Sequence, residues 1–335
     1  MRTVLRKVAF ICAMVPGAVQ AAPLQYLSGA GDKARPVVGL TWGVLAISLI
    51  VIFVIAALLV GAIWHRPGLE GAELSGRPPL GKAEGGLNWL WIGVGVTTLA
   101  LLFSIVWTVQ VLARVQAPAT KPAVTIEVTA RQWWWEVRYL GDDPSQNFTT
   151  ANEIHIPVGQ PVRFRLIGGD VIHSFWVPAL GGKMDAIPGQ TNETWLEADK
   201  PGTYRGQCTE YCGLQHAHMG LVMIAQAPAA FHQWWTHQLD APVQTAASAG
   251  PSAFVMHCGG CHMVRGTDAA GVLGPDLSHL MQRTTIAAGT LPNTPAMLTH
   301  WITDPQAIKP GALMQAPELT GTDLAAIHAY LETLK

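Results

Sequence analysis

The chain has 335 residues, a length that accommodates two or three domains. Only 13% are charged and 50% are apolar, and the mean hydropathy is positive, which argues against an entirely soluble protein. The formal net charge of −1 favours neither nucleic acid nor an anionic lipid surface as a partner.

Arg2, Arg6 and Lys7 precede the short apolar stretch VAFICAMVPGAV, and small residues end at Ala21. This is the pattern of a secretory signal peptide, expected over residues 1–21. Its core is too short to span a bilayer. Cys12 lies within it; Ile11 fits a lipid-attachment site poorly, so Cys12 is read as lost with the peptide. The other four cysteines, Cys208, Cys212, Cys258 and Cys261, fall in the exported part. Two disulfides are the simplest use of four exported thiols, but the residues around them argue for metal chemistry.

Two uncharged runs follow, Val37 to Trp64 and Leu87 to Ala113. As helices the first reaches about 40 Å, enough to cross a hydrocarbon core of roughly 30 Å with tilt. Trp64, Trp89 and Trp91 sit at the loop ends, where interfacial aromatics are expected. The two spans predict a transmembrane hairpin within residues 22–115. The signal peptide puts the connecting loop, His65 to Gly86, in the cytoplasm and everything after Arg114 outside; Arg66, Arg77 and Lys82 in that loop are balanced by Glu70, Glu73 and Glu84.

From Ala123 the texture changes to short alternating runs such as AVTIEVTA, WWWEVRYL, NEIHIPV and PVRFRLI, punctuated by Gly, Pro, Asn and Asp. Many short strands at close spacing predict a β-sandwich or barrel over 116–230. Residues 231–252 are assigned to a linker, because DAPVQTAASAGPS is rich in small residues and Pro. The last segment, 253–335, opens on Cys-x-x-Cys-His and ends in TGTDLAAIHAYLETLK. There Thr320 or Thr322 caps a helix with an apolar stripe of Leu324, Ile327, Leu331 and Leu334.

The loop GQCTEYCGLQHAHMG, Gly206 to Gly220, gathers two cysteines, two histidines and a methionine. Thiolate, imidazole and thioether form a soft set that favours copper over magnesium, calcium or manganese; zinc accepts Cys and His but rarely methionine. Two cysteines four apart can bridge two coppers, and His173 in GGDVIHSFWVP is a further candidate ligand. This pattern, Cys-x3-Cys-x3-His-x2-Met with an upstream Asp-x2-His, resembles the dinuclear copper centre of cytochrome c oxidase subunit II. The resemblance runs from about Val37 to Gln226 and includes RQWWWEVRY and GGKMDAIPGQ.

The resemblance implies a cupredoxin-like Greek-key sandwich in which Cys208 and Cys212 bridge the coppers. One copper would add His173 and Met219, the other His216 and the backbone carbonyl of Glu210. The Glu210 side chain would bind magnesium at an interface with subunit I. Trp133 would lie at the surface, between an incoming haem and the copper centre, with Trp134 and Trp135 in mixed packing roles. His218 does not fit the spacing and is read as a solvated neighbour; His155 is read as a structural strand residue. The family often has a glutamate near the cytoplasmic start of the second span. Asn88 stands there, with Glu84 earlier, and neither is assigned that role.

Cys258, Cys261 and His262 have the spacing of covalent c-type haem attachment, with His262 as proximal ligand. LGPDLSHL and HWITDPQAIKPGALMQAP resemble the haem-lining loops of an all-α cytochrome c domain. That resemblance implies that the Pro275 carbonyl orients His262 and that Met314 is the distal ligand; Met263, Met281 and Met297 are read as core. Together the resemblances imply the electron-entry subunit of a proton-pumping cytochrome c oxidase of the bacterial inner membrane, with both metal domains on the periplasmic side. Subunits I and III and a donor cytochrome would be its partners, and no nucleic acid is expected.

Overall fold

The computed structural model describes residues 24–64, 86–242 and 249–335. The signal peptide with Cys12, the charged residues of the loop between the spans, Glu84 among them, and part of the linker lie outside the described residues.

The two uncharged runs form helices α1 (Ala34–Trp64) and α2 (Gly86–Gln116), each 31 residues long. At 1.5 Å per residue each is about 46 Å long, with room for tilt in a bilayer. Their large apolar side chains are exposed almost throughout, as lipid-facing surfaces require. Four of their hydroxyls stay inside the helix: Thr41, Ser48, Ser104 and Thr108 each donate to the carbonyl four residues back. Gly43 allows the helices to meet, since a Cβ there would fall 2.2 Å from the Trp107 ring.

The outer ends of both helices are tied to the sandwich. Arg35 pairs with Asp199 at 3.2 Å, the Lys33 ammonium donates to Thr194, and the Trp195 indole donates to the Val115 carbonyl at 3.0 Å.

The strands that follow are β1 (Val124–Arg131), β2 (Trp134–Leu140), β3 (Phe148–Ala151), β4 (Glu153–Pro157), β5 (Val162–Gly168), β6 (His173–Trp176), β7 (Met184–Ala186), β8 (Thr191–Leu196), β9 (Gly202–Cys208) and β10 (Gly220–Gln226). They make two five-stranded sheets, in the orders β3-β2-β1-β5-β8 and β4-β10-β9-β6-β7. β1 runs parallel to β5 and β4 parallel to β10; the remaining pairs are antiparallel. Alternate side chains point inward, as the sequence predicts: Ile126, Val128, Trp135, Val137, Tyr139, Phe164, Leu166 and Phe175 form the shared core.

β4 breaks the alternation, because all five of its residues are buried. Part of the cause is a helix, α3 (Pro228–Leu239), which corrects the linker assigned to 231–252; Glu153 is covered by Thr284 of the C-terminal domain. Its Phe231, Trp234, Trp235 and Leu239 pack against the sandwich core, and Trp234 stacks on His155 at 4.1 Å.

The C-terminal domain consists of α4 (Gly250–His257), α5 (Pro295–Thr303), α6 (Pro305–Ile308) and α7 (Gly321–Leu331). A short ribbon, Thr285–Ile286 with Leu291–Pro292, is added to the expected all-helical fold. Thr320 is the N-cap of α7, accepting from the Asp323 amide, while Ile327, Leu331 and Leu334 are buried. Met281 and Met297 pack on this core, as expected.

Candidate metal centres

The first centre sits where β6 and β9 meet the loop into β10. His173 begins β6, Cys208 ends β9, and a tight turn with Gly213 at φ +113° brings Cys212 back over Cys208. The two sulfurs lie 3.8 Å apart, far from the roughly 2.05 Å of a disulfide. His173 Nδ1 lies 3.9 Å from the Cys208 sulfur, and the Glu210 carbonyl 3.3 Å from it. His216 Nδ1 lies 3.5 Å and the Met219 sulfur 3.8 Å from Cys212. The other four predicted ligand positions therefore lie around one sulfur pair, and His173, Cys208, Cys212 and Met219 are buried. His218 points away, exposed and bonded to Gln215. His155 is held by Glu153, Gln226 and Trp234, well occupied without a metal.

The donor set fits copper. Sulfur, imidazole and thioether around a sulfur pair suit a soft, redox-active metal. The Cys208 thiol is pulled down by its hydrogen bond with Cys212 and, against burial, by His173, while Cys212 is pushed up by the same sharing and by burial.

Asp170, unassigned in the sequence reading although it supplies the Asp of Asp-x2-His, has a clear place. Its carboxylate is 2.7 Å from His173 Nε2, so it fixes the ring with Nδ1 toward the sulfurs. Burial pushes the His173 pKa down, but the bonds to Cys208 and Asp170 outweigh it and the net shift is upward.

The Glu210 carboxylate faces outward, 3.6 Å from the Lys183 ammonium, which also pairs with Asp185 at 3.1 Å. Trp133 departs from the sequence expectation. It is only 8% exposed, because the C-terminal domain covers it. Its indole donates to the Cys212 carbonyl at 2.9 Å, and a Cβ added at Gly311 would touch its ring at 3.6 Å. Trp135 is fully buried, edge-on to His173 and Phe175.

The second centre follows α4. The amides of Cys261 and His262 both bond to the Cys258 carbonyl, curling Cys-x-x-Cys-His into one turn with both thiols free. His262 Nδ1 lies 2.9 Å from the Pro275 carbonyl, which leaves Nε2 for iron. Burial lowers the His262 pKa and favours the neutral, ligating ring. Gly274 is required beside it, since a Cβ there would sit 2.5 Å from the ring. Val272, Leu273 and Leu313 expose large apolar surfaces, the kind a haem covers. Met314 is half-buried after α6, its carbonyl bonded to Gln306. These features fit a haem.

The family model for the periplasmic domain of cytochrome c oxidase subunit II matches residues 139–226, and that for cytochrome c matches residues 247–335. Cytochrome c oxidase subunit 2 of Alkalihalophilus pseudofirmus is 36% identical over 298 residues, covering 87% of this chain and 84% of that one. The chain belongs to the cytochrome c oxidase subunit 2 family.

The subunit 2 of Bacillus sp. (strain PS3) is 34% identical over 74% of each chain. Among solved structures, the periplasmic domain of oxidase subunit II of Bradyrhizobium japonicum is 35% identical, with a TM-score of 0.33, covering 36% of this chain and 96% of that one. This subunit 2 is thus part of a cytochrome c oxidase, anchored by apolar helices and carrying a copper-type domain and a cytochrome c domain. That pairing gives it an electron-entry role in the oxidase.

Proposed function

We propose that the cytochrome c domain accepts electrons one at a time and that the sandwich domain relays them to subunit I. Cys258 and Cys261 would hold one haem c covalently, His262 and Met314 would ligate its iron, and Pro275 would orient His262. Cys208 and Cys212, together with His173, Met219, His216 and the Glu210 carbonyl, would hold two coppers. When bound, the haem supplies a one-electron acceptor and the copper pair a low-reorganisation relay toward oxygen reduction and proton pumping in subunit I.

The residues of the chain do the rest. Asp170 holds His173 in one tautomer, and the buried core around Trp135 and Phe175 keeps the loop rigid and dry. The apolar hairpin anchors the domains at a bacterial inner membrane with the sandwich on the periplasmic side. Subunit I, and subunit III beyond it, would be its neighbours, and a cytochrome its donor. The Glu210 carboxylate is proposed for magnesium at the subunit I interface, with Lys183 turning aside.

The gathering of four further donor groups around a sulfur pair 3.8 Å apart carries this reading. Metal and haem analysis of the purified full chain tests it, with two coppers and one covalent haem as the expected result. One copper, or zinc in an electron-accepting sample, contradicts it. Cys258→Ala with Cys261→Ala should abolish haem staining on a denaturing gel and leave the copper bands.

A further inference from the structure

Residues 309–311 of the C-terminal domain, together with Thr284 and Ala288, make a set of contacts with the sandwich that the metal chemistry does not require. Lys309 is 3% exposed, and its ammonium donates to the Trp133 carbonyl at 2.6 Å and to the Ala287 carbonyl at 3.2 Å. The Pro310 carbonyl accepts from the buried Gln215 side chain at 2.8 Å. Gly311, at φ +84°, brings the turn so close that a Cβ added there would lie 3.3 Å from Leu214 and 3.6 Å from Trp133. Three consecutive residues thus grip Trp133 and the Cys212–Met219 loop.

The same loop continues to Met314. Gln306 ties it together, donating to the Ala312 and Met314 carbonyls and accepting from the Gly311 amide, each at 2.8 Å. On the other side, the Trp133 indole donates to the Cys212 carbonyl. A continuous bonded route therefore joins the proposed iron-ligand loop to a proposed copper ligand. Elsewhere in the interface the Glu153 carboxylate accepts from Thr284 N at 2.9 Å and Oγ1 at 2.6 Å, and the Gly220 amide donates to the Ala288 carbonyl at 3.0 Å.

Burying a lysine amine against two carbonyls is costly. A methionine would fill the same space more cheaply, so what Lys309 adds is a pair of directed donors across the domain boundary. We propose that Lys309 is a positioning residue for electron transfer between the domains, fastening the 309–314 loop onto Trp133. This rests on the function proposed above. Tunnelling falls steeply with separation, so a fastened loop keeps transfer fast and independent of domain diffusion. An unfastened domain must find its dock before each transfer.

The test uses the assembled oxidase with Lys309→Met, which keeps the bulk and removes the donors. Haem and copper spectra and the haem potential should match the parent. Transfer from haem to copper after flash reduction should slow by about tenfold or more and acquire a dependence on solvent viscosity. Independently of electron transfer, the Gly220 amide should exchange its hydrogen about tenfold faster. If Lys309→Met does not assemble, Gly311→Ala strains the same turn and should give the same signature. A parent-like, viscosity-independent rate, or unchanged Gly220 exchange, overturns the positioning role. Absence of transfer in the parent protein counts instead against the proposed function, while the exchange rate still decides whether Lys309 holds the domains together.

Discussion

His173 shows how much one outer residue sets at a metal centre. Its Nδ1 faces the sulfurs while Asp170 engages Nε2 at 2.7 Å, which fixes the ring and its tautomer. Asp170→Asn keeps the shape and weakens that bond, so copper affinity should fall by about 10–100-fold in a chelator competition, with the haem bands unchanged. Gly274 has an equally local role. A methyl group there meets the His262 ring at 2.5 Å, so Gly274→Ala should cost about 1–3 kcal/mol and shift the haem spectrum. Lys309 contributes a pH dependence. Burial pulls its amine from 10.5 down to about 7. The folded protein therefore holds this proton less tightly than the unfolded chain does. The cost of burying the charge is fully present below about pH 7 and is relieved as pH rises toward 10.5, while the neutral amine keeps its N–H donations. The melting temperature of the parent relative to Lys309→Met should rise between about pH 7 and about pH 9.

At the scale of elements, α3 changes the character of the sandwich. It covers one face of β4 and turns a polar edge into an interior. Phe231 is buried in that contact, and Phe231→Ala should cost about 3 kcal/mol, read as a lower unfolding midpoint in denaturant with metal content unchanged. The transmembrane runs, the strands of the sandwich and the apolar stripe of α7 were legible because each follows one local period of hydrophobicity. β4 and α3 were not. EIHIP alternates correctly, but a period reports which faces differ and not whether a second layer covers the outer one. FHQWWTHQL fell inside the assigned linker because it runs into a segment rich in small residues and Pro. The copper-type loop was legible for the opposite reason: five of its six proposed ligands are concentrated in one turn. Asp170 was visible in its motif, but its role needed the geometry of the ring it holds.

Across the whole molecule, the decisive contacts join residues far apart in sequence. Glu153 and Thr284 are separated by 131 positions, and Lys309 and Trp133 by 176, which no local pattern reveals. The sequence placed Trp133 at the surface, and the docked cytochrome domain buries it. Burial changes the expectation for Trp133→Gln. The substitution removes an indole donor and packing from an interface, so it should lower stability by about 1–3 kcal/mol as well as slow electron transfer. Trp135→Phe should lower stability too, with a smaller kinetic effect, because Trp135 packs behind His173 and away from the cytochrome domain. The central claim is that one chain carries an electron from its cytochrome domain to its copper domain. Flash reduction of the haem in the purified full chain, followed at the haem and near-infrared copper bands, measures this directly. The account predicts that haem reoxidation and copper reduction proceed together, at a rate independent of protein concentration. A rate that grows with concentration, or a haem that reoxidises with no change at the copper band, would contradict it.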